Sequence, residues 1–375
     1  MNIVVLGAGF AGYNLIKGLV KDESINKITV IDKSQSRLKK TKKLGDKIFV
    51  YNSSIEEVDR IRKFISRSDL VIVALPPSSK SIDIIRACID EGTHYMDLGI
   101  SDYTLLFTIY HDDIFHDAGI FAFPSYGADP GLTNILAKHA SKDLDMLDEI
   151  LIRDGSVSYD GTGNYYVYSP IVFFQELIER PLVYMNGNYI RLNHNESIEN
   201  FYFPINIGYK KVKIVSHEEV ITLPKFLGKK IMKVNFGYYI PDIIEKGFKE
   251  FEINNKVKFD KLKALSSIRN NNKLRGFELL VIKITGSKKD EKISRQSFIY
   301  LDHQEAVKRF NENATEYLVT YLPLKVIKML AERKLKGAGV VLPEMLETEE
   351  IINDLKDLGI YFYEETKKEI EEIKI

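Results

Sequence analysis

The stretch Ile3–Gly12, IVVLGAGFAG, decides the fold of this 375-residue chain. A short apolar run leads straight into a G-x-G-x-x-G pattern, and Asn14–Val20 then has apolar residues at helical spacing. In such a strand–loop–helix unit the first glycine permits a tight turn, the second lets a pyrophosphate approach the backbone, and the third allows close helix packing. The helix N-terminus offers N–H groups to phosphate. This context favours a dinucleotide-binding loop over a glycine-rich turn without a ligand, and the residues expected to bind are Gly7, Gly9, Phe10, Ala11 and Gly12.

Short apolar runs and longer amphipathic runs alternate over the first 125 residues or so. Leu70–Leu75 is continuously apolar, as expected for a strand that is buried on both faces of a parallel sheet. Alternation at this spacing predicts right-handed βαβ units and a doubly wound parallel sheet of the Rossmann type. The expected strands are Ile3–Leu6, Lys27–Ile31, Lys47–Val50, Leu70–Leu75, His94–Leu98 and Ile120–Ser125, and the expected helices are Asn14–Val20, Glu56–Ser66, Ser79–Glu91 and Tyr103–Ala118.

The pattern changes after Pro130. A helix is expected at Thr133–Lys142, and Lys211–Val215, Lys230–Phe236 and Glu278–Ile284 alternate with period two, which predicts an antiparallel sheet with one open face. The predicted fold class is α/β, with a Rossmann domain followed by an α+β substrate and dimerisation domain. The expected division is 1–128 for the nucleotide-binding domain, 129–312 for the second domain, and 313–375 for a C-terminal helical segment that packs back on the first.

The composition of the chain argues against several classes of function. The chain has 53 basic and 53 acidic residues, so a chain-wide electrostatic grip on nucleic acid is not expected. It has a single cysteine and no apolar run long enough to cross a membrane, and its first residues lack the features of a signal peptide. These features predict a cytoplasmic protein without a membrane or nucleic-acid partner. The seven histidines show no metal-ligand spacing, so no metal is expected.

Asp32, at the end of the second predicted strand, bears on the choice of cofactor. A carboxylate at this position accepts hydrogen bonds from the ribose hydroxyls of the adenosine and repels a 2′-phosphate, which favours NAD. Lys33, Ser34 and Arg37 follow directly, and these residue types can hold a 2′-phosphate. NAD is therefore expected, and NADP remains possible.

The loops after the third and fourth predicted strands lie at the same edge of the sheet as the glycine loop. Ser53 and Ser54 follow the third strand, where an adenine would lie, and Ala74-Leu75-Pro76-Pro77 follows the fourth. Ligands of doubly wound sheets lie at the carboxyl ends of the strands, so these loops are expected to line the cofactor site. A plain strand-terminating turn is nearly as good an explanation of the Ala74-Leu75-Pro76 step.

Five later segments carry a family resemblance. Tyr95-Met96-Asp97-Leu98-Gly99 precedes the stretch Ser125–Asn134, SYGADPGLTN, and Gly339–Glu344 reads GVVLPE. With Tyr168-Ser169-Pro170 and His217-Glu218, this order resembles the saccharopine dehydrogenase-like family, and within it most closely the L-lysine 6-dehydrogenases. The resemblance spans residues 1 to about 346. It implies a homodimer formed through the second domain.

The resemblance further implies an NAD(P)-dependent oxidoreductase that acts on a CH–NH bond, with oxidative deamination of the lysine ε-amine as the first expectation. The alternative is reductive condensation of an aldehyde with an amine, as in saccharopine- or carboxynorspermidine-forming members. His217-Glu218-Glu219 stands where saccharopine reductases place an arginine for a substrate carboxylate. A cationic amine is therefore favoured over a dicarboxylate. A non-enzymatic nucleotide sensor or assembly protein is the remaining alternative.

Candidate site residues follow from these segments. Asp129 is expected to orient or deprotonate the amine, or to cap the following helix, and His217 with Glu218 is a candidate proton relay. Asp97 and Asp154 are candidate substrate contacts, although a strand-end cap and a turn explain them as well. Tyr168 and Ser169 are further substrate candidates in a Tyr-rich loop, and Leu98 and Gly127 are expected beside the cofactor.

Overall fold

The computed structural model describes residues 1–76, 78, 80–99, 101–159, 173, 176–240, 273–289 and 291–368. The chain divides into two compact units. Unit 1 comprises 1–132 and 316–346, and unit 2 comprises 133–315 and 347–375. The predicted C-terminal segment 313–375 is thus shared between the units. No helix in the described ranges is long and apolar enough to span a bilayer.

Unit 1 contains a seven-stranded parallel sheet in the order β17-β6-β5-β4-β1-β2-β3. The strand order reverses direction beside β1, which is the topology of a doubly wound sheet and confirms the predicted fold class. Every residue of β4 is buried, as its unbroken apolar run predicts. The strands are β1 (Asn2–Leu6), β2 (Lys27–Asp32), β3 (Ile48–Asn52), β4 (Leu70–Val73), β5 (His94–Asp97), β6 (Phe121–Phe123) and β17 (Gly339–Val340).

Helices connect these strands. The predicted helix Tyr103–Ala118 is two helices, and His111 lies between them as the cap residue of both. Gly18 lies where an added Cβ would be 2.4 Å from a methyl group of Leu324, so α1 packs closely on α10. The helices are α1 (Phe10–Lys21), α2 (Gln35–Lys42), α3 (Val58–Ile65), α4 (Ser81–Glu91), α5 (Asp102–Tyr110), α6 (Asp112–Asp117), α7 (Leu132–Ser141, which crosses the unit boundary) and α10 (Ala314–Ala331).

The seventh strand was not predicted. Gly339–Val340 pairs in parallel with β6, although the sequence around it indicates only a family motif. The Tyr126 hydroxyl donates to the carbonyl of Val341 at 3.0 Å and holds this returning segment in unit 1. Two residues are too few for a periodicity signal, which explains the omission.

Unit 2 contains an eleven-stranded, mostly antiparallel sheet, as predicted. Its main path runs β10-β9-β14-β7-β15-β16-β18, and only β13 and β14 pair in parallel with β7. The strands are β7 (Met146–Asp154), β8 (Val157–Tyr159), β9 (Leu182–Met185), β10 (Asn188–Arg191), β11 (Ile198–Phe203), β12 (Gly208–Val215), β13 (Lys230–Ile231), β14 (Lys233–Tyr239), β15 (Arg275–Lys288), β16 (Glu291–Asp302) and β18 (Tyr361–Lys368).

The register of this sheet separates two faces. Asp154 of β7 pairs with Tyr238 of β14 and with Leu280 of β15, so these side chains and that of Glu278 lie on one face. The opposite face carries an apolar cluster with Arg153 beside it. The helices α8 (Glu218–Phe226), α9 (His303–Phe310) and α11 (Thr348–Asp357) complete unit 2 with α7. The C-terminal segment was predicted to be helical, but within unit 2 it forms both α11 and the edge strand β18.

Candidate functional site

The glycine loop of unit 1 has the geometry that its sequence predicts. Gly7 has a φ of 104°, and a Cβ on Gly12 would lie 2.2 Å from the carbonyl oxygen of Gly7. Gly9 is the N-cap of α1 without a side-chain cap, and an added Cβ there would meet only the Arg37 guanidinium at 3.9 Å. The space over Gly9 and the N-terminus of α1 therefore fit a pyrophosphate. Phe10 and Ala11 form the first turn of this helix.

Asp32 is buried at the end of β2 and is held by backbone donors. Its two carboxylate oxygens accept hydrogen bonds from the N–H groups of Ala8 and Ser34, both at 2.7 Å. The Arg37 guanidinium lies 3.8 Å away and is more than half exposed. Asp32 thus ties the glycine loop to the start of α2, and an exposed cation stands beside the place where a ribose is expected. Lys33 is exposed.

The remaining cofactor candidates lie in unit 1, and their contact with a cofactor stays a prediction. The Ser53 hydroxyl, the Arg60 guanidinium and the Ser54 N–H group donate to Glu57, and these bonds lower the pKa of Glu57 to about 2. Ala74 approaches the glycine loop, because a Cβ on Gly7 would be 2.4 Å from its carbonyl oxygen. Leu75 and Pro76 follow Ala74, Pro77 lies outside the described residues, and Leu98 and Gly127 lie close together.

Asp97 is the last residue of β5, and Asp129 lies in the family-like segment Ser125–Asn134. The Asp97 carboxylate accepts hydrogen bonds from the Tyr95 hydroxyl and from the N–H groups of Gly99 and Ser125, all at 2.9 Å. Burial raises its pKa, against the effect of these donors. These bonds match the alternative in which Asp97 caps the strand end. α7 begins at Leu132, so Gly131 and not Asp129 directly precedes it. The catalytic role of Asp129 stays a prediction.

His217 is the centre of a buried polar cluster in unit 2. Its Nδ1 contacts Glu219 and its ring stacks on Phe236 with centroids 3.8 Å apart. Thr133 donates to the other oxygen of Glu219. Burial by itself lowers the pKa of His217, but the carboxylates of Glu219, Glu218 and Glu176 raise it well above the ordinary value. His217 therefore carries a proton at neutral pH and can donate one, whereas a histidine base would be neutral.

Tyr238 connects His217 to a carboxyl group that the sequence reasoning missed. The Tyr238 hydroxyl lies 3.3 Å from His217 Nε2 and is also hydrogen-bonded to Glu176. Burial raises the pKa of Glu176 to about 7, although His217 and Tyr238 act in the opposite direction. Glu176 Oε2 is buried and has no hydrogen-bond partner in the described part of the chain.

Asp154 and Glu278 lie on the same face of the sheet as Tyr238, and both accept hydrogen bonds from Ser156. The Ser156 N–H donates to Asp154 at 2.8 Å, and the Ser156 hydroxyl donates to Glu278 at 2.7 Å. Thr315 donates to the other oxygen of Glu278. Burial and then the charge of Asp154 raise the pKa of Glu278 to about 8, and burial also raises the pKa of Asp154.

Three adjacent residues offer ligand atoms for a metal ion. His217, Glu218 and Glu219 place such atoms within 4.8 Å of one another. Glu219 already accepts from Thr133 and contacts His217, whose raised pKa opposes the neutral imidazole that a metal needs. We therefore assign no metal to this group. The predicted substrate contacts Tyr168 and Ser169 lie outside the described residues.

Residues 3–121 match the model of the saccharopine dehydrogenase NADP binding domain. This part of unit 1 is therefore similar to the NADP-binding domain of saccharopine dehydrogenases. This match confirms the resemblance at the level of the family and supports NAD(P) as the cofactor. The narrower assignment to the L-lysine 6-dehydrogenases stays a prediction.

Two curated relatives share part of this chain. It is 25% identical over 266 residues to carboxynorspermidine synthase of Vibrio cholerae, covering 64% of this chain and 63% of that protein. It is 24% identical over 166 residues to carboxyaminopropylagmatine dehydrogenase of a Synechocystis species, covering 42% and 41%. The chain thus matches less than two thirds of the length of either relative.

Two solved structures share the whole fold. Saccharopine dehydrogenase (L-Glu forming) of Saccharomyces cerevisiae has a TM-score of 0.73 at 14% identity, with 98% of this chain and 99% of that chain covered. The homospermidine synthase of Legionella pneumophila in complex with NAD has a TM-score of 0.77 at 16% identity, with 98% and 91% covered. At these identities the likeness establishes the fold alone.

Proposed function

We propose that this protein is an NAD(P)-dependent oxidoreductase that acts on the C–N bond of a cationic amine. The observation that carries the proposal is the cluster in unit 2, where five carboxyl groups accompany one imidazole. Among the described residues, no arginine or lysine pairs with Asp154, Glu176 or Glu278. A partly buried group of carboxyls that, within the described ranges, His217 alone accompanies as a cation is suited to bind ammonium groups.

The cofactor contribution comes from unit 1. Gly7, Gly9 and Gly12 would hold the pyrophosphate against α1, and Asp32 with Arg37 would face the adenosine ribose. A bound dinucleotide supplies or accepts the hydride in this class of reaction.

Side chains of unit 2 then donate or accept the proton that accompanies the hydride transfer. In the reductive direction an imine carbon gains a hydride and its nitrogen gains a proton. His217 holds a proton because Glu219 contacts its Nδ1, and Tyr238 lies beside its Nε2, so this pair can deliver that proton. In the oxidative direction the same groups need a base, and Glu176, with its pKa of about 7, can serve as one.

Within this class we favour a polyamine substrate over lysine, whose two ammonium groups are partly offset by its own carboxylate. A carboxylated polyamine carries more positive charge than lysine and matches more of the five carboxyls. The names of the two curated relatives, which refer to carboxylated polyamines, support this choice. Oxidation of the lysine ε-amine remains the second candidate, since His217 could offset the single carboxylate of lysine.

An absorbance assay at 340 nm tests the proposal. NADH or NADPH is supplied with a diamine and an amino-acid semialdehyde, and in parallel NAD or NADP is supplied with L-lysine at alkaline pH. Cofactor oxidation only when both diamine and aldehyde are present supports reductive condensation, whereas NAD reduction by lysine alone supports the lysine branch. Cofactor binding without turnover in either arm would favour the sensor alternative.

We also propose that the protein is a homodimer formed through unit 2. The edge strand β18 presents Tyr361 and Tyr363, which are 46% and 48% exposed, and Tyr363 stacks on Phe298. Tyrosine is favoured at protein interfaces. Light scattering should give a dimer mass that Tyr363→Lys lowers, and a monomeric wild type would refute the proposal.

A further inference from the structure

The start of α7 is joined to the first two turns of α8 by two buried hydrogen bonds. The Thr133 hydroxyl donates to Glu219 Oε1, and the Asn134 side-chain amide donates to the Thr222 hydroxyl at 3.1 Å. All four side chains are buried. Thr133 and Asn134 are the last two residues of the segment Ser125–Asn134, on which the family resemblance partly depends. Neither residue has a part in the proton transfer proposed above.

The Glu219 carboxylate is held through both of its oxygens. Oε1 accepts from Thr133, and Oε2 contacts His217 Nδ1. An ionised carboxylate accepts hydrogen bonds only, so the contact with Nδ1 requires a proton on that nitrogen. Because the second oxygen is bound to Thr133, the carboxylate cannot rotate away from the imidazole without breaking a buried hydrogen bond, which is costly.

The imidazole ring of His217 is restrained on further sides. His217 is the N-cap residue of α8, and its carbonyl accepts from the Val220 N–H group at 3.1 Å. One face of the ring stacks on Phe236, with centroids 3.8 Å apart and planes at 10°. Since Nδ1 is held by Glu219, Nε2 is the nitrogen that lies beside the Tyr238 hydroxyl, at 3.3 Å. The two nitrogens therefore have different roles, which a partner on one of them normally sets.

We propose that Thr133 is a positioning residue for His217: through Glu219 it keeps one proton on Nδ1 and leaves Nε2 as the nitrogen that donates or accepts the proton of the reaction. The inference rests on the proposed function, in which His217 and Tyr238 deliver this proton, and it names the atom and the residue that selects it. Only the N–H bond at Nε2 breaks when the proton leaves for the substrate nitrogen. The Nδ1–H bond and the charge of Glu219 stay unchanged.

NMR of the free protein with nitrogen-15-labelled histidine shows which nitrogen holds the proton. The signals of His217 are assigned by their absence from His217→Gln. We expect the Nδ1–H resonance to lie downfield of any Nε2–H resonance, because its acceptor is a carboxylate. Where the ring holds a single proton, we expect that proton on Nδ1. A single proton on Nε2, or an Nδ1–H resonance without the downfield position, would overturn the proposal.

Thr133→Val removes the hydroxyl and preserves the shape of the side chain. We expect the Nδ1–H resonance to broaden through faster exchange, because the carboxylate is no longer held on both sides. Turnover should fall about tenfold, the effect of one hydrogen bond to a charged group, with cofactor affinity unchanged. Thr133→Ser retains the hydroxyl and should keep both the resonance and the turnover of the wild type.

Thr222→Val is the matched control, because the Asn134–Thr222 bond joins the same two helices without involving Glu219. We expect it to lower the melting temperature by an amount similar to Thr133→Val, with wild-type turnover and an unchanged Nδ1–H resonance. If Thr133→Val does not fold, Glu219→Gln takes its place. It removes the carboxylate at constant shape and should reduce turnover about a hundredfold.

Wild-type turnover and an unaltered Nδ1–H resonance in Thr133→Val overturn the positioning role. Equal losses of turnover in Thr133→Val and Thr222→Val also overturn it, because the losses would then follow from helix packing alone. In both cases the wild type still turns over in the 340 nm assay, and the proposed function stands. A wild type without turnover refutes the proposed function, and the role of Thr133 falls with it.

Discussion

The glycine loop of unit 1 and the acidic cluster of unit 2 are both candidate sites, but they are assembled in different ways. The loop consists of six consecutive residues whose backbone provides the binding groups. The cluster draws on Asp154, Glu176, His217, Tyr238 and Glu278, which are far apart in the chain and meet only on one face of the sheet.

This difference shows in how each site depends on its surroundings. In the loop the decisive quantity is space, since Gly12 has room for no side chain and Gly9 faces open space. In the acidic cluster the decisive quantity is the charge of the carboxyl groups. Burial and like charges raise the pKa values of Glu176 and Glu278 by two units or more above the usual glutamate value.

The largest expected effect compares two glycines of the loop. Gly12→Ala should destabilise the protein by about 2–4 kcal/mol and reduce cofactor affinity more than a hundredfold, because its Cβ would meet the Gly7 carbonyl oxygen at 2.2 Å. Gly9→Ala should weaken cofactor binding with little change in stability. Thermal melting and cofactor titration separate the two, and equal melting temperatures for both variants would contradict the close approach at Gly12.

Substitution of His217 tests the acidic cluster by comparing turnover with cofactor affinity. His217→Gln removes the proton donor, and turnover should fall about a hundredfold or more while cofactor affinity stays constant. Steady-state kinetics and cofactor titration measure the two quantities. Asp129→Asn provides the comparison, and if it alone abolished turnover, proton delivery would belong to Asp129.

The stability of the protein should fall as pH rises. Glu278 has a folded-state pKa of about 8, above the usual glutamate value near 4.5, so the folded state binds more protons than the unfolded state between these values. Its stabilising contribution is complete below about pH 4.5 and is lost as pH rises through 8. We expect a loss of about 2–4 kcal/mol between pH 5 and 9. Urea unfolding measures it, and Glu278→Gln should show a flatter dependence.

The smallest effect concerns Arg37. The Arg37 guanidinium lies 3.8 Å from the Asp32 carboxylate, and it is exposed to solvent. It can therefore contact a 2′-phosphate beside Asp32. Arg37→Ala should reduce affinity for NADP about tenfold and affinity for NAD only slightly. Fluorescence titration with both cofactors measures this, and equal losses would show that Arg37 does not read the 2′ position.

Much of unit 1 could be predicted from the sequence. Six of its seven strands follow from short apolar runs between amphipathic helices, and the loop follows from three glycines in a fixed spacing. The break at His111 and the strand Gly339–Val340 could not be predicted, because both are short and depend on neighbours that are remote in the chain.

Unit 2 shows where such prediction ends. His217, Glu218 and Asp154 were identified from local motifs, but Glu176 and Glu278 were missed, since neither lies in a motif. In unit 1, Asp97 was predicted as a substrate contact or a strand-end cap, and its three internal donors match the cap.

The sequence by itself determined the Rossmann-type sheet, the phosphate-binding loop and the resemblance to the saccharopine dehydrogenase family, because periodicity and glycine spacing act between near neighbours in the chain. Only the tertiary structure decided which carboxyl groups are buried together and which of them hold protons. Burial and charge interaction depend on distances in space, and residues 154 and 278 come into range only when β7 and β15 pair.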